Sequence, residues 1–330
     1  MSGVTWSGRR VLVTGAGGFI GSHLAERLVA LGAEVRALVH YRGNGSWGWL
    51  DESPVRGDME VVAGDVCDRD SVGTAMRGAD VVYHLAALIA IPYSYHAPLS
   101  YVRTNVEGTL NVLQLARELG VARVVHTSTS EVYGTPRYVP IDEDHPVQGQ
   151  SPYAATKIGA DKLAEAFSRS HGLPVVIVRP FNTFGPRQSA RAIIPTIITQ
   201  CLTGASVRLG NLHPTRDFNY VADTVEGFVM AATPAEALGR TINVGSGTEI
   251  SMQDLATTIA GLVDRSITIE RDEARVRPAD SEVDRLCADN RLARRLLGWQ
   301  PRIPLEDGLR RTVAWVREHR ETYRAGAYVL

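Results

Sequence analysis

The tightest constraint on this chain is a strand that runs into a glycine-rich turn and then a helix. The strand is Arg9 to Thr14, the turn Gly15-Ala-Gly-Gly18-Phe-Ile-Gly21, and the helix the apolar-periodic stretch Ser22 to Leu31. Glycines at Gly15, Gly18 and Gly21 permit a tight turn and a close backbone approach, and the N–H groups at the start of the helix suit a pyrophosphate. Further strand-length apolar runs follow at Glu34 to Val39, Glu60 to Ala63, Val81 to Leu85, Arg123 to Thr127 and Val175 to Arg179. Between them Val102 to Leu119 and Tyr153 to Ser170 carry apolar residues at helical spacing. Gly32 and Gly120 stand where helix C-termini favour glycine. This alternation predicts an α/β fold: a Rossmann-type, doubly wound parallel sheet with helices on both faces.

After Pro180 the alternation weakens and prolines scatter among short segments. This predicts a smaller C-terminal substrate-binding lobe at the carboxyl edge of the sheet. Thr241 to Gly245 reads as one more strand, so the expected dinucleotide-binding domain is 1–180 with 222–247, and the lobe is 181–221 with 248–330. With 35 basic and 36 acidic residues the formal charge is -1, which favours neither nucleic acid nor an anionic membrane. Cys67, Cys201 and Cys287 have neither metal-ligand spacing nor a paired framework, and read as reduced thiols. Met1 to Arg10 is too short and polar for a signal peptide, and no apolar run reaches membrane-spanning length. The expected location is the cytoplasm, with no metal.

Two further stretches carry chemistry: Thr127-Ser-Thr-Ser-Glu131-Val-Tyr-Gly134 and Tyr153-Ala-Ala-Thr-Lys157. Residues four apart on a helix share a face, so a lysine ammonium beside a phenol would favour phenolate and make Tyr153 a base. Thr129 offers a hydroxyl to the reacting oxygen from the end of a strand. Glu131 is more than an alcohol oxidation needs and suggests a second task, taking a proton from carbon.

The glycine spacing, the strand-end Thr-Ser-Thr and the Tyr/Lys pair together resemble the short-chain dehydrogenase/reductase superfamily in its extended, nucleotide-sugar-modifying form. The resemblance implies a nicotinamide dinucleotide held by Gly15, Gly18, Phe19, Ile20 and Gly21. It also implies adenine contacts from Asp65 and Val66, a ribose-side segment at Leu85, Ala86 and Ala87, and contacts from Tyr153 and Lys157. The second strand ends in Val39-His40-Tyr41-Arg42, without the acidic residue usual for NAD. Arg42 can meet the extra phosphate of NADP or stand as a solvated loop arginine, so NAD and NADP both remain open.

Glu131 separates the subclasses. Nucleotide-sugar 4,6-dehydratases place a glutamate there, in the Ser130-Glu131 form among the GDP-mannose enzymes, whereas C4 epimerases have a small uncharged residue. UDP-glucuronate decarboxylases carry the same Thr-Ser-Glu-Val-Tyr-Gly. The segments Ser46-Trp-Gly-Trp-Leu-Asp51 and Ile89 to His96 add a likeness to the 4,6-dehydratases of legionaminic-acid-type pathways, which act on nucleotide-linked N-acetylglucosamine. By that resemblance Asn182, Arg216 and Arg277 would hold the substrate pyrophosphate, with Arg187 and Arg191 as weaker candidates, since arginine forks match phosphate oxygens. Asn105 would support the active site from its helix. The implied catalytic set is Thr129, Ser130, Glu131, Tyr153 and Lys157. The implied reaction is a hydro-lyase cycle: C4 oxidation, removal of the C5 proton by Glu131, loss of water from C6 with help from Ser130, and hydride return.

Decarboxylation of a UDP-uronic acid, C4 epimerisation and nucleotide binding without catalysis are the rivals. The carrier, UDP or GDP, stays open. The resemblance further implies a homodimer through Val102 to Leu119 and Tyr153 to Ser170. Trp47 and Trp49 either cover the sugar or pack.

Overall fold

The computed structural model describes residues 5–323, so 1–4 and 324–330, at the outer ends of the two expected domains, lie outside the described residues. The first six strands are β1 (Arg10–Thr14), β2 (Glu34–His40), β3 (Met59–Gly64), β4 (Val81–His84), β5 (Arg123–Thr127) and β6 (Val175–Pro180). The short strands β7 (Asn182–Phe184), β8 (Ser206–Leu209), β9 (Thr215–Arg216) and β10 (Phe218–Tyr220) then build the lobe, before β11 (Thr241–Val244) returns to the main sheet. That sheet has seven parallel strands in the order β11-β6-β5-β4-β1-β2-β3. From β1 the chain winds outward through β2 and β3, then steps back across β1 to β4 and winds the other way. The reversal lies between β1 and β4, and it opens a crevice at their carboxyl ends.

Strand side chains alternate between two cores because successive residues point to opposite faces. Val11, Val13, Val35, Ala37, Val39, Val81 and Tyr83 enter one core, while Leu12, Leu38, Val82, Val124 and Ile177 enter the other. The helices α1 (Phe19–Ala30), α2 (Arg69–Met76), α3 (Ile91–His96), α4 (Pro98–Tyr101), α5 (Gly108–Glu118) and α6 (Pro152–His171) follow in chain order. Leu24 and Leu28 of α1 join the first core; Val72 of α2, Val112 of α5 and Ala164 of α6 join the second. The sequence expectation of one helix from Val102 to Leu119 needs correction. Val102–Glu107 is a widened π turn that leads into α5, and it carries the buried Asn105. The first helix begins at Phe19, so Phe19 and Ile20 are its opening residues.

The remaining helices are α7 (Ile193–Thr203), α8 (Val221–Ala231), α9 (Met252–Leu262), α10 (Arg291–Leu297) and α11 (Leu305–Glu318). Buried carboxylates fasten the lobe to the sheet. Asp217, fully buried, accepts from Ser246 N at 2.8 Å and Oγ at 2.7 Å, from Gly247 N at 2.8 Å and from Ala288 N at 3.0 Å. Asp223 accepts from the amides of Arg302 and Ile303 at 3.0 and 2.9 Å. A buried carboxylate is tolerated only when so many donors replace its water. Among the described residues no helix is long and apolar enough to cross a membrane.

Glu143 pins the loop 134–150 to the edge strand β11 by accepting from Asn243 N at 2.8 Å. Burial pushes its carboxyl up from 4.5 to about 7, against hydrogen bonds that favour the anion. The folded chain therefore holds a proton that the unfolded chain has already released, and stability falls as pH rises from 4.5 through 7. Glu143→Gln keeps the acceptor and removes the charge. It is expected to unfold in urea with roughly 1–3 kcal/mol more stability than the wild type at pH 8, a gap that closes toward pH 4.5.

Candidate active site

The glycine turn sits at the crevice and is built by backbone contact. Gly15 has φ +71°, and a Cβ on it would lie 2.8 Å from Ala86 N; one on Gly21 would lie 2.2 Å from the Gly15 oxygen. Thr14 Oγ1 accepts the amides of Leu85 and Ala86, each at 3.1 Å, which draws the segment after β4 against the turn. Gly18 precedes α1 as its N-cap, with no side-chain cap and no acid in the helix's first turn. By contrast, Ser151 caps α6 and Ser251 caps α9. An uncapped, acid-free helix start behind a Cβ-free cradle fits a pyrophosphate. Asp65 bonds Cys67 N at 2.8 Å and lies 3.9 Å from His40. Val66 is buried, and Arg42 is exposed after β2.

The register of α6 is set by its start. Ser151 Oγ accepts from Ala154 N at 3.1 Å and Pro152 takes the first helical position, where a missing N–H costs nothing. Tyr153 and Lys157 then share a face as expected, and both are buried. The expectation that Lys157, with a positive nicotinamide, favours the Tyr153 phenolate meets an opposing effect of burial in the protein alone. Lys157 Nζ donates to the Thr127 carbonyl at 2.5 Å. Burial pushes the Tyr153 phenol well above its ordinary value; the Thr129 hydroxyl opposes this and the Glu131 charge adds to it. Burial also lowers Lys157 to about 8, while Asp161 supports its charge. Thr129 caps a short turn, accepting from Glu131 N at 3.3 Å, and that turn holds Ser130 buried and Glu131 half-buried.

Asp161 lies one turn beyond Lys157 on the same face and is fully buried. It accepts from Ser128 Oγ at 2.7 Å and from Arg179 Nη2 at 2.9 Å, and its other oxygen is 3.3 Å from His126 Nε2. Burial opposes its ionisation, yet the nearby His126 and the charges of Arg179 and Lys157 hold the carboxyl at about 2. Arg179 continues the chain to Tyr133 Oη at 3.0 Å, which donates to Asn243 at 2.8 Å. On the other side His84, kept neutral by burial and by the neighbouring His126 and Lys157, bridges Thr14 and Thr109 at 2.9 and 3.0 Å. Sequence reading assigned no role to Asp161, Arg179 and His126. For Arg179 and His126 the available signal was a charged or imidazole residue near the end of an otherwise apolar strand; Asp161 stands on α6 one turn past Lys157. Asn105 acts as a cross-link, holding Leu88 by both backbone groups at 2.8 and 3.0 Å and donating to Thr156 on α6 at 3.1 Å.

On the lobe side, Arg216 and Arg277 meet across Glu282, whose Oε1 is 3.4 Å from one and 3.7 Å from the other. Asn211 donates to its second oxygen at 3.1 Å. Burial works against the Arg216 charge, and Glu131 and Glu282 support it, so the arginine lies within the field of the candidate base. Asn182 Oδ1 and Arg277 Nη1 are among the buried side-chain atoms without a hydrogen-bond partner in the described residues, the latter 3.7 Å from Glu282. Arg191 is exposed near Tyr101, whose ring meets Tyr153 edge-on at 6.3 Å. Arg187 departs from expectation. It is buried, with its guanidinium bonded to Glu26 and Ser22 of α1 at 2.9 and 3.2 Å, because its positive φ of 69° turns the chain toward that helix.

Residues 12–312 match the family described as GDP-mannose 4,6 dehydratase. A UDP-glucose 4-epimerase of Mycolicibacterium smegmatis is 37% identical over 93% of this chain and 98% of its own length. The dTDP-glucose 4,6-dehydratase DesIV of Streptomyces venezuelae, solved with NAD bound, superposes with TM-score 0.85 at 32% identity over 96% of this chain and 99% of its own. An NAD-dependent NDP-hexosamine 5,6-dehydratase of tunicamycin biosynthesis, TunA, gives 0.81 at 32% identity over 94% and 98%.

Asp161→Asn leaves Arg179 as a buried cation without its counter-charge, and is expected to cost roughly 3–5 kcal/mol in urea unfolding. It also removes the anion that supports Lys157. The alkaline limb of a pH–rate profile, where the ammonium is lost, is therefore expected to move to lower pH.

Proposed function

The chain belongs to the GDP-mannose 4,6-dehydratase family of extended short-chain dehydrogenases/reductases, and within it we propose an NAD-dependent 4,6-dehydratase that acts on a nucleotide-linked N-acetylglucosamine. The observation that carries this reading is the placement of Glu131. Glu131 stands half-buried in the turn that Thr129 caps directly after β5, and its charge is felt at both Tyr153 and Arg216, the group that would oxidise C4 and a cation suited to the substrate phosphate. C4 epimerisation has no step for a carboxylate there; dehydration needs one to remove the C5 proton. The amino-sugar preference rests on the likeness carried by Ser46 to Asp51 and Ile89 to His96.

Gly15, Gly18 and Gly21 would hold the pyrophosphate of the dinucleotide, whose nicotinamide would supply hydride acceptance from C4 and hydride return to C6, with a proton going back to C5. Thr129 holds the C4 oxygen while Tyr153 takes its proton. The charge of Lys157, kept by Asp161, favours the phenolate that this requires against the burial that opposes it. Once C4 is a ketone the C5 hydrogen is acidic, and Glu131 removes it. Ser130 assists protonation of the departing C6 hydroxyl, so one water leaves. Arg216 and Arg277 hold the diphosphate, with Asn182 beside them and Arg191 at the rim. The proposal extends to a homodimer through Val102 to Leu119 and Tyr153 to Ser170, a region that exposes Val102 and Leu119, and to a division of labour between 1–180 with 222–247 and the lobe.

Mass spectrometry after incubation with UDP- or GDP-N-acetylglucosamine, and with UDP-glucuronate in parallel, tests the reading. Loss of one water from an amino-sugar nucleotide is expected, and loss of carbon dioxide from the glucuronate instead would overturn it. Glu131→Gln is expected to oxidise C4 still but to stop deuterium exchange at C5. Undiminished exchange would remove Glu131 from its role.

A further inference from the structure

Trp47, Gly48 and Trp49 pack on the glycine turn. Trp49 N donates to the Gly17 oxygen at 3.0 Å. A Cβ on Gly17 would lie 2.4 Å from the Trp47 oxygen, and one on Gly48, where φ is +70°, would lie 2.3 Å from the Gly17 oxygen. Gly17 is the one turn glycine outside the G-x-x-G-x-x-G spacing, and this contact is what requires it. The loop is also braced internally. Asp51 accepts from Ser46 Oγ at 2.7 Å and from Trp47 N at 3.1 Å; Ser46 Oγ accepts from Gly48 N at 3.1 Å; and the Arg56 guanidinium lies 4.0 Å over the Trp47 ring.

Helix α11 of the lobe closes the assembly. Trp49 meets Trp315 edge-on at 5.9 Å, and Trp315 stacks on His319 at 3.6 Å. His319 Nε2 lies 3.5 Å from Glu52. From the opposite side Arg187, bonded to Ser22 and Glu26 of α1, has its guanidinium 5.9 Å from the Trp315 ring. The glycine turn and the first turns of α1 are thus held from two directions by parts that converge on one tryptophan of the lobe.

We propose that loop 46–52, Arg187 and Trp315 form a clasp that retains the dinucleotide by fixing the glycine turn and the start of α1 in their binding conformation. The inference rests on the redox-neutral cycle proposed above. There the hydride taken from the sugar must return to the same sugar, so a dinucleotide lost in mid-cycle ends turnover. A clasp outside the substrate side slows that loss without altering the chemistry. Trp315 stands on the lobe rather than on the dinucleotide-binding half, so the clasp also makes retention depend on the lobe being docked.

The test uses the full chain with NADH alone and no sugar. Release is followed by nicotinamide fluorescence in a stopped-flow displacement, and affinity by calorimetry. Trp49→Ala and Trp315→Ala are each expected to release NADH about tenfold faster, the scale of one lost aromatic contact. UDP binding and the melting temperature measured with UDP are expected to stay near wild type. Trp315→Phe, which keeps an edge contact, should recover most of the retention, and this separates the clasp from a general loss of folding. Release rates unchanged in both alanine variants would overturn the clasp alone. A wild-type chain that binds no dinucleotide would overturn the cofactor reading and the clasp with it.

Discussion

The buried Asp161 carboxylate is the interaction on which the rest of the site depends. One oxygen gathers Ser128 from the end of β5 and Arg179 from β6, and the other faces His126. Helix α6 is thereby locked to two neighbouring strands at the level of their carboxyl ends. An ion pair this deep gains little net stability over an apolar substitute, because desolvation cancels most of the attraction. Its value is positional. It fixes the height of α6 against the sheet, and so the distance from Tyr153 and Lys157 to Thr129 and Glu131. It also places a negative charge behind Lys157, where burial would otherwise favour the neutral amine.

The glycine turn shows how one short sequence answers several demands. Gly15 and Gly21 are required by close approach within the turn and to the segment after β4, while Gly17 is required by a loop that arrives after β2. Backbone packed this closely cannot adjust locally, so the loop, the turn and α1 behave as one piece. Arg187 belongs to that piece. Its ion pair with Glu26 reaches across from the lobe side to the first helix, so this arginine is spent on packing. The two arginines that do face one another, Arg216 and Arg277, are held apart by Glu282 rather than by solvent.

Much of the fold was legible because it rests on local rules. Apolar runs of strand length and Gly32 and Gly120 at helix ends each state their structure within a few residues, and stand where they were expected. The π turn at Val102–Glu107 was not legible, because its apolar spacing differs from an α-helix by a single residue. Its function is to seat Asn105 between Leu88 and Thr156, a requirement set by two distant segments. The pairing of Tyr153 with Lys157 followed from helical spacing. The direction in which burial moves them did not, since desolvation depends on what surrounds the helix.

By itself the sequence determined the strand–turn–helix opening, the alternation that makes a doubly wound sheet, and the set Thr129, Glu131, Tyr153 and Lys157 on which the proposed nucleotide-sugar chemistry rests. These are set by spacing along the chain. Only the tertiary structure decided that Asp161, Arg179 and His126 form one buried cluster beneath them, that Arg187 serves α1, and that Trp47 and Trp49 close on Gly17 and Trp315. Such partners lie on separate strands, helices and loops. Whether a charge there is solvated, paired or buried is fixed by three-dimensional proximity, which spacing in the sequence does not encode.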